Sequence, residues 1–323
     1  MSEHERRFRA IVEEAAVGIA AVDLDGRLAE VNRTFQRLLG YGETELRGMQ
    51  VRDLSPRDDT SADLVLFGEL IAGTRSSYHI EKRYVRKDGS VFWGRLNASL
   101  VLDPAVAPHF VVATIESIDE RKRAEARAAA QYHVTRALAE SSTVGDAGPR
   151  MLEAVCRGLE WELGGLWLVD RTEGILRLES AWTRVSSRLE RFAKASAGLT
   201  FGPSSELPGR VWESGKPGWI EDVGADESSR RARWATESGL RSAFAAPVAA
   251  GSDVIGVLEL YSSTTRRPDP ETEALIALVG SQLGEFVRRT EAQRPCTSAR
   301  NASARSSRTS RESSIDVLRT LTG

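Results

Sequence analysis

The sequence predicts an α+β fold in two modules, each a central antiparallel sheet flanked by helices, with a long helix joining them. Three observations carry this reading. The chain has 323 residues, the length of two ordinary domains. Strand-like runs fall into two separate groups, each interrupted by helical stretches, as in sheets that carry helices on a face. Between the groups, from Ile118 to about Ser141, lies an Ala-rich run without a single Gly or Pro.

The first group opens at Val17. VGIAAVDLDGRLAEVN reads as strand, tight turn, strand, with Asp25-Gly26 in the turn, where glycine tolerates the positive φ a hairpin needs. Asn32 is suited to accept from the amides of the following RTFQRLL, and Gly40 stops that helix. Glu43–Arg47 and Asp63–Ala72 read as further helices. Three strand-like runs follow, His79–Arg86, Val91–Leu102 and His109–Ile118, the first two joined by a Lys87-Asp88-Gly89 turn. The Ala-rich run favours helix through its alanines. Its apolar positions are sparse, so a coiled coil is weakly specified. SSTVGDAGP, a cluster of turn formers, is expected to end it.

In the second group, MLEAVCRGLEWEL is amphipathic at helical spacing. GLWLVD and ILRLESAWTR read as adjacent strands about a turn at Thr172–Gly174. Ser187–Ala195 and Gly209–Ser214 read as helices, Gly218–Asp222 as a strand, and RRARWATESGL as a helix that stops at Gly239. RSAFAAPVAAGSDVIGVLELYSS is a hairpin with its loop at Ala250–Asp253, and RRPDPETEA starts a long final helix through about Glu291. From Arg294 the composition turns to Ser and Arg. Six Arg against Glu312 and Asp316 put +4 on this tail and −6 on the rest, hidden in a net charge of −2. Only Ile315, Val317, Leu318 and Leu321 offer apolar area there, so the tail is expected to be disordered. The alternate frame of a GC-rich back-translation of residues 296–307 reads as a charged, helix-favouring continuation, which fits a frame slip ahead of an output domain.

Phe8 to Glu125 resembles a PAS domain. The resemblance rests on AIVEEAAVGIAAVDLDGRLAEVN, FQRLLGYGETELRGM, YVRKDGSVFWGRLNASLV and the closing IESIDERKRAE. At the sheet exit the family usually carries Asp-Ile-Thr; here Ser117, Ile118 and Asp119 stand there, so the carboxylate comes two positions later. These three are the expected signal-coupling residues. Residues 147–290 resemble a GAF domain through LPGRVWESGKPGWIEDV, SGLRSAFAAPVAAGSDVIGVLELYS and the acidic start of the closing helix. The resemblance implies a PAS sensor domain at 1–119, a helical linker at 120–141, a GAF sensor domain at 142–291 and the tail at 292–323. It also implies a place in bacterial signal transduction of the two-component type, with a ligand- or partner-induced conformational change passed along helices. Two alternatives stand beside it: the truncated input part of a sensor histidine kinase, and a dimerisation adaptor that senses nothing.

Composition narrows the function classes. The near-balance of 44 basic and 46 acidic residues gives no global attraction to nucleic acid or to an anionic membrane. No apolar run approaches the ~18 residues of a membrane span, and MSEHERRFRA lacks the apolar core of a secretory signal. The only cysteines, Cys156 and Cys296, exclude a disulfide framework and a multi-cysteine zinc site, so a cytoplasmic protein is expected. The tail has no aromatics interleaved with its arginines, which argues against nucleic-acid binding.

Catalytic signatures are not found, so this chain is read as a non-enzyme. His133 is followed by Val134 rather than an acid and reads as an exposed helix residue; His4, His79 and His109 are scattered. No phosphate-cradling GxxxxGK[ST] or GxGxxG run occurs, nor a GGDEF-like one. Flavin-type photochemistry in PAS domains needs a Cys that residues 40–75 lack, and heme binding needs a His that Asp63–Ala72 lacks. Bilin attachment needs a Cys on another element than the one carrying Cys156, which reads as core. Six of the seven tryptophans fall in the second module and read mainly as core, with Trp93, Trp182 and Trp219 as candidates for lining a ligand pocket. The expected partners are a second copy of the chain, since a lone exposed linker helix is marginal, a kinase or response regulator, and a small-molecule ligand, with no membrane.

Overall fold

The computed structural model describes residues 2–104, 107–226 and 228–293; the expected disorder of the tail from residue 294 lies outside the described residues. The chain divides into two units between Glu125 and Ala126.

The first unit begins with a helix that the sequence reading did not contain, α1 (Glu3–Glu13). A capping box starts it: Ser2 Oγ accepts from the Glu5 amide, and the Glu5 carboxylate accepts from the Ser2 amide. No residue of α1 is buried, and Phe8 and Ile11, three apart on one face, are 65% and 62% exposed. Strands β1 (Gly18–Val22) and β2 (Leu28–Val31) form the expected hairpin, with Gly26 at positive φ. Asn32 caps α2 (Arg33–Leu39) and does more. Its Oδ1 accepts from the amides of Phe35 and Ile19, while its Nδ2 donates to the carbonyls of Val12 and Val17. One buried side chain thereby ties the end of α1 and the start of β1 to α2. Gly40 closes α2 in the left-handed region.

Helix α3 (Glu43–Leu46) and two single turns of 3-10 helix lead to α4 (Thr60–Ile71), which starts three residues earlier than the apolar pattern indicates. Strands β3 (Ser77–Val85), β4 (Val91–Leu102) and β5 (Pro108–Ser117) complete a five-stranded antiparallel sheet in the order β2-β1-β5-β4-β3. One face buries Ala20, Val22, Phe92, Leu96 and Ile115 against Phe35, Leu39 and Leu70 of the helices. Gly94 is required on that face. A Cβ there would come 2.7 Å from the Tyr84 ring, which lies across it from β3. Helix α5 (Asp119–Glu140) leaves the sheet and joins the two modules.

The expected break does end α5, at Glu140, but it is only three residues long: in the second unit, α6 (Val144–Gly158) takes up GDAGP as helix. Thr143 caps it, and the helix runs on through Gly148 and Pro149. Tertiary packing decides this. Gly148 sits so close to β7 that a Cβ would lie 2.4 Å from Ser180 Oγ, and Met151, Leu152, Val155 and Cys156 bury beyond it. Pro149 removes only one backbone hydrogen bond.

Strands β6 (Leu163–Asp170) and β7 (Ile175–Thr183) are followed by α7 (Ser187–Ala197), β8 (Thr200–Phe201), α8 (Glu206–Ser214), β9 (Gly218–Ile220), α9 (Ala232–Glu237), β10 (Ser242–Ala250), β11 (Asp253–Ser262) and α10 (Pro270–Gln293). The six strands order as β8-β7-β6-β11-β10-β9, antiparallel throughout. Helices cover both faces. Leu258 and Leu260 of β11 face α6, α10 and the second half of α5, whereas Val257 and Tyr261 face α7, α8 and α9. Helix α9 is shorter than RRARWATESGL indicates, because Ser229 and Arg230 are held in a turn by the Glu206 carboxylate.

Candidate functional site

The alternation of β3 sends Tyr78, Ile80, Lys82 and Tyr84 to the inner face of the first sheet. Lys82 thus enters an apolar core and is 4% exposed. Its ammonium pairs with the Asp63 carboxylate from α4 and donates to Ser55 Oγ at 2.9 Å. The Tyr78 hydroxyl donates to the other Asp63 oxygen at 2.9 Å. Buried charges are tolerated when paired and hydrogen-bonded, and both charges here are. The ammonium also lies 4.7 Å from the centroid of the Tyr84 ring.

Asp63, Tyr78, Lys82 and Tyr84 line a cavity of about 30 Å³, whose other walls include Val22, Phe35, Leu54 and Phe67. That volume holds one or two waters. The Tyr84 hydroxyl is buried in the same wall, without a hydrogen-bond partner among the described residues. Burial, reinforced by the negative charge of Asp63, pushes the Tyr78 and Tyr84 phenols well above their usual range, so both remain protonated donors at neutral pH.

A chain of contacts leads from this wall to the sheet exit. The Tyr84 ring stacks on Phe92 with centroids 5.3 Å apart. The Arg86 guanidinium lies 4.3 Å from the centroid of Phe92 and 3.9 Å from the Asp119 carboxylate. Asp119 is the first residue of α5, where a negative charge suits the helix dipole. Its Oδ1 accepts from the Trp93 amide at 2.8 Å, and the Ile118 amide donates to the Trp93 carbonyl at 2.9 Å. Ile118 is buried, and Ser117 ends β5 exposed, opposite Gly94. The structure therefore gathers Ser117, Ile118 and Asp119 at β4. It places the Trp93 ring on the outer face of the sheet, half-exposed beneath the Lys122 ammonium, rather than in the cavity wall. On the same face Glu81 bridges to Lys122 and Arg121 of α5, and their hydrogen bonds lower its carboxyl to about 2.

In the second unit, Trp182 is half-buried on the side of α6 and α10, with the Arg157 guanidinium 5.8 Å from its ring. Trp219 packs on Phe244 at 4.3 Å on the same side and donates its indole N–H to Glu273. Cys156 is fully buried in α6, and burial pushes its thiol up. His79 is exposed on the outer face of β3, and His133 is exposed on α5, as its place on the helix suggests. Among the described residues no group of three or more His, Cys, Asp or Glu is placed to hold a metal ion. Sequence reasoning missed Asp63, Tyr78, Lys82 and Tyr84. A signal was there: a lysine in the inward row of an otherwise apolar and aromatic alternation.

Residues 6–118 match the family model of the PAS fold, and residues 141–288 match that of the GAF domain. The chain carries a PAS domain followed by a GAF domain. Both are sensory domains. The PAS region is similar to part of the probable diguanylate cyclase DgcE of Escherichia coli K12, at 38% identity over 125 residues, 39% of this chain and 11% of that protein. A stretch of 194 residues is 24% identical to the sensor histidine kinase TmoS of Ectopseudomonas mendocina, covering 58% of this chain and 20% of that one. The chain thus spans a fifth or less of the length of these two curated relatives. Among solved structures, the GAF domain of a phosphoenolpyruvate-protein phosphotransferase from Coxiella burnetii is 16% identical and covers 53% of this chain and 97% of its own, with a TM-score of 0.45. The chain is a PAS–GAF sensor module, homologous to regions of a sensor kinase and a cyclase.

Proposed function

We propose that the PAS cavity takes up a small polar molecule and that its occupancy is passed to α5 through Arg86 and Asp119. The observation that carries this reading is the buried Asp63–Lys82 pair in the cavity wall, beside a Tyr84 hydroxyl with no hydrogen-bond partner among the described residues. A ligand that accepts from Tyr84 or competes for Lys82 changes the balance of charge there. It stabilises one arrangement of the wall over another by its differential affinity, which is all that a population shift requires. Tyr84, Phe92, Arg86 and Asp119 form a contiguous route from that wall to the first turn of α5.

The signal then reads out through helices in a homodimer. The apolar face of α1, with Phe8 and Ile11 exposed, supports pairing with a second copy. A kinase, a response regulator or a downstream domain of a longer protein receives the change, in bacterial signalling of the two-component type and in the cytoplasm. The similarity to a sensor histidine kinase supports this assignment. Among the described residues no helix is long and apolar enough to cross a membrane.

Native mass spectrometry of the freshly purified chain tests the sensing step. A retained small-molecule adduct that disappears in Lys82→Met is the expected result. An adduct-free protein that also gains no thermal stability from a panel of small polar metabolites refutes it and leaves the dimerisation adaptor.

A further inference from the structure

The GAF domain holds a guanidinium in a cage of carboxylates and aromatic rings. Arg231, just before α9, is 2% exposed. Its Nη1 and Nη2 donate to the two oxygens of Glu259 at 2.9 and 2.7 Å, and its Nε donates to Glu206 at 3.0 Å. The centroids of Phe201, Trp167 and Tyr261 lie 4.7, 5.5 and 5.8 Å from its guanidinium carbon. The Trp167 indole N–H and the Tyr261 hydroxyl also donate to Glu259, which fixes that carboxylate in place. Burial works against the charge on Arg231, but its neighbours, Glu259 foremost and Glu206 with it, together more than offset it, so the side chain is held protonated. Paired carboxylates and aromatic faces together are the chemistry that recognises planar or alkylated cations.

The walls and the occupant come from different kinds of structure. Glu259 and Tyr261 lie on β11, Trp167 on β6, Phe201 on β8 and Glu206 at the start of α8. Arg231 comes from the connection between β9 and the six-residue α9. A cavity of about 10 Å³ adjoins Arg231 and is also lined by Asp226. Among the described residues the buried Oδ2 of Asp226 makes no hydrogen bond, and the Arg210 guanidinium lies 3.5 Å from it.

We propose that this cage is a binding site for a small guanidinium or alkylammonium cation, that Arg231 is its tethered internal occupant, and that such a ligand displaces Arg231 and frees the segment around α9. A tethered occupant competes at an effective concentration on the order of millimolar. The cage therefore opens to outside cations most readily once the arginine is removed.

The test uses the full chain with Arg231→Ala and methylguanidinium as the probe, with urea and sodium chloride at equal concentration as controls. The expected result is saturable binding by calorimetry, at least about tenfold tighter than to the unsubstituted chain, given that the tether no longer competes. It is absent with urea or sodium and lost when Glu259→Gln is added. A folded Arg231→Ala chain without saturable methylguanidinium binding overturns the proposal. If that variant does not fold, hydrogen exchange of the unsubstituted chain decides. Methylguanidinium is expected to speed exchange of residues 228–237 relative to sodium chloride, and unchanged exchange overturns the proposal.

Discussion

Replacing Lys82 by Met removes the ammonium from a site that is 4% exposed and leaves the Asp63 carboxylate buried with the Tyr78 hydroxyl as its remaining partner. Methionine is close to lysine in volume, so the loss is electrostatic rather than one of packing. Removing one member of a buried ion pair costs about 3–5 kcal/mol, because the survivor keeps its desolvation without its counter-ion. Replacing both members, with Asp63→Leu added, removes both charges and leaves chiefly the Tyr78 hydroxyl unsatisfied, a cost of about 1–3 kcal/mol. The double variant is therefore expected to be at least as stable as Lys82→Met alone, and usually more so. A domain of this size loses about 4 °C or more for each kcal/mol, so Lys82→Met lowers the PAS transition by about 12 °C or more. Differential scanning calorimetry of the full chain reads this transition for Lys82→Met, Asp63→Leu and the double variant. A loss below about 1 kcal/mol for Lys82→Met, or a double variant whose loss equals the sum of the two single losses, refutes the reasoning.

Glu81, lowered to about 2 by Lys122 and Arg121, contributes stability that is complete above the usual carboxylate range of about 4.3 and lost as pH falls through 2. A carbon-13 titration of its carboxyl is expected to show a midpoint near the lower value, and a midpoint at the ordinary one contradicts the bridge. Gly94→Ala sets a Cβ against the Tyr84 ring and is expected to cost about 1–3 kcal/mol in urea unfolding, as overpacking does. Phe8→Glu with Ile11→Glu is expected to convert a dimer to a monomer in sedimentation velocity without loss of helix content, since neither residue is buried within the chain.

What the sequence made legible follows from which forces are local. The β3–β4 hairpin and α2 could be read almost residue by residue, because alternation, the Lys87-Asp88-Gly89 turn, the Asn32 cap and Gly40 are all local signals. The run of α6 through Gly148 and Pro149 was not legible, since Ser180, 32 positions later, decides it. Helix α1 escaped notice because its few apolar residues sit among many charges and bury nothing within the chain. The exit residues Ser117, Ile118 and Asp119 were singled out by resemblance, while the bond from Asp119 to the Trp93 amide required the register of β4. The Asp63–Lys82 pair joins two segments that each look like an apolar element with one stray charge, and only the packing of α4 over β3 makes them partners.

Hydrogen exchange at amides 120–125, the first turns of α5, tests the route from cavity to helix most directly. Three variants are compared with the unsubstituted chain: Lys82→Met, Asp119→Ala and the two combined. Leu39→Ala serves as a control of similar stability loss in the same core, about 2–5 kcal/mol. If the state of the cavity wall reaches α5 through Arg86 and Asp119, Lys82→Met speeds exchange at 120–125 beyond what Leu39→Ala does, and adds nothing further once Asp119 is Ala. Exchange there that follows overall stability alike in Lys82→Met and Leu39→Ala contradicts the route.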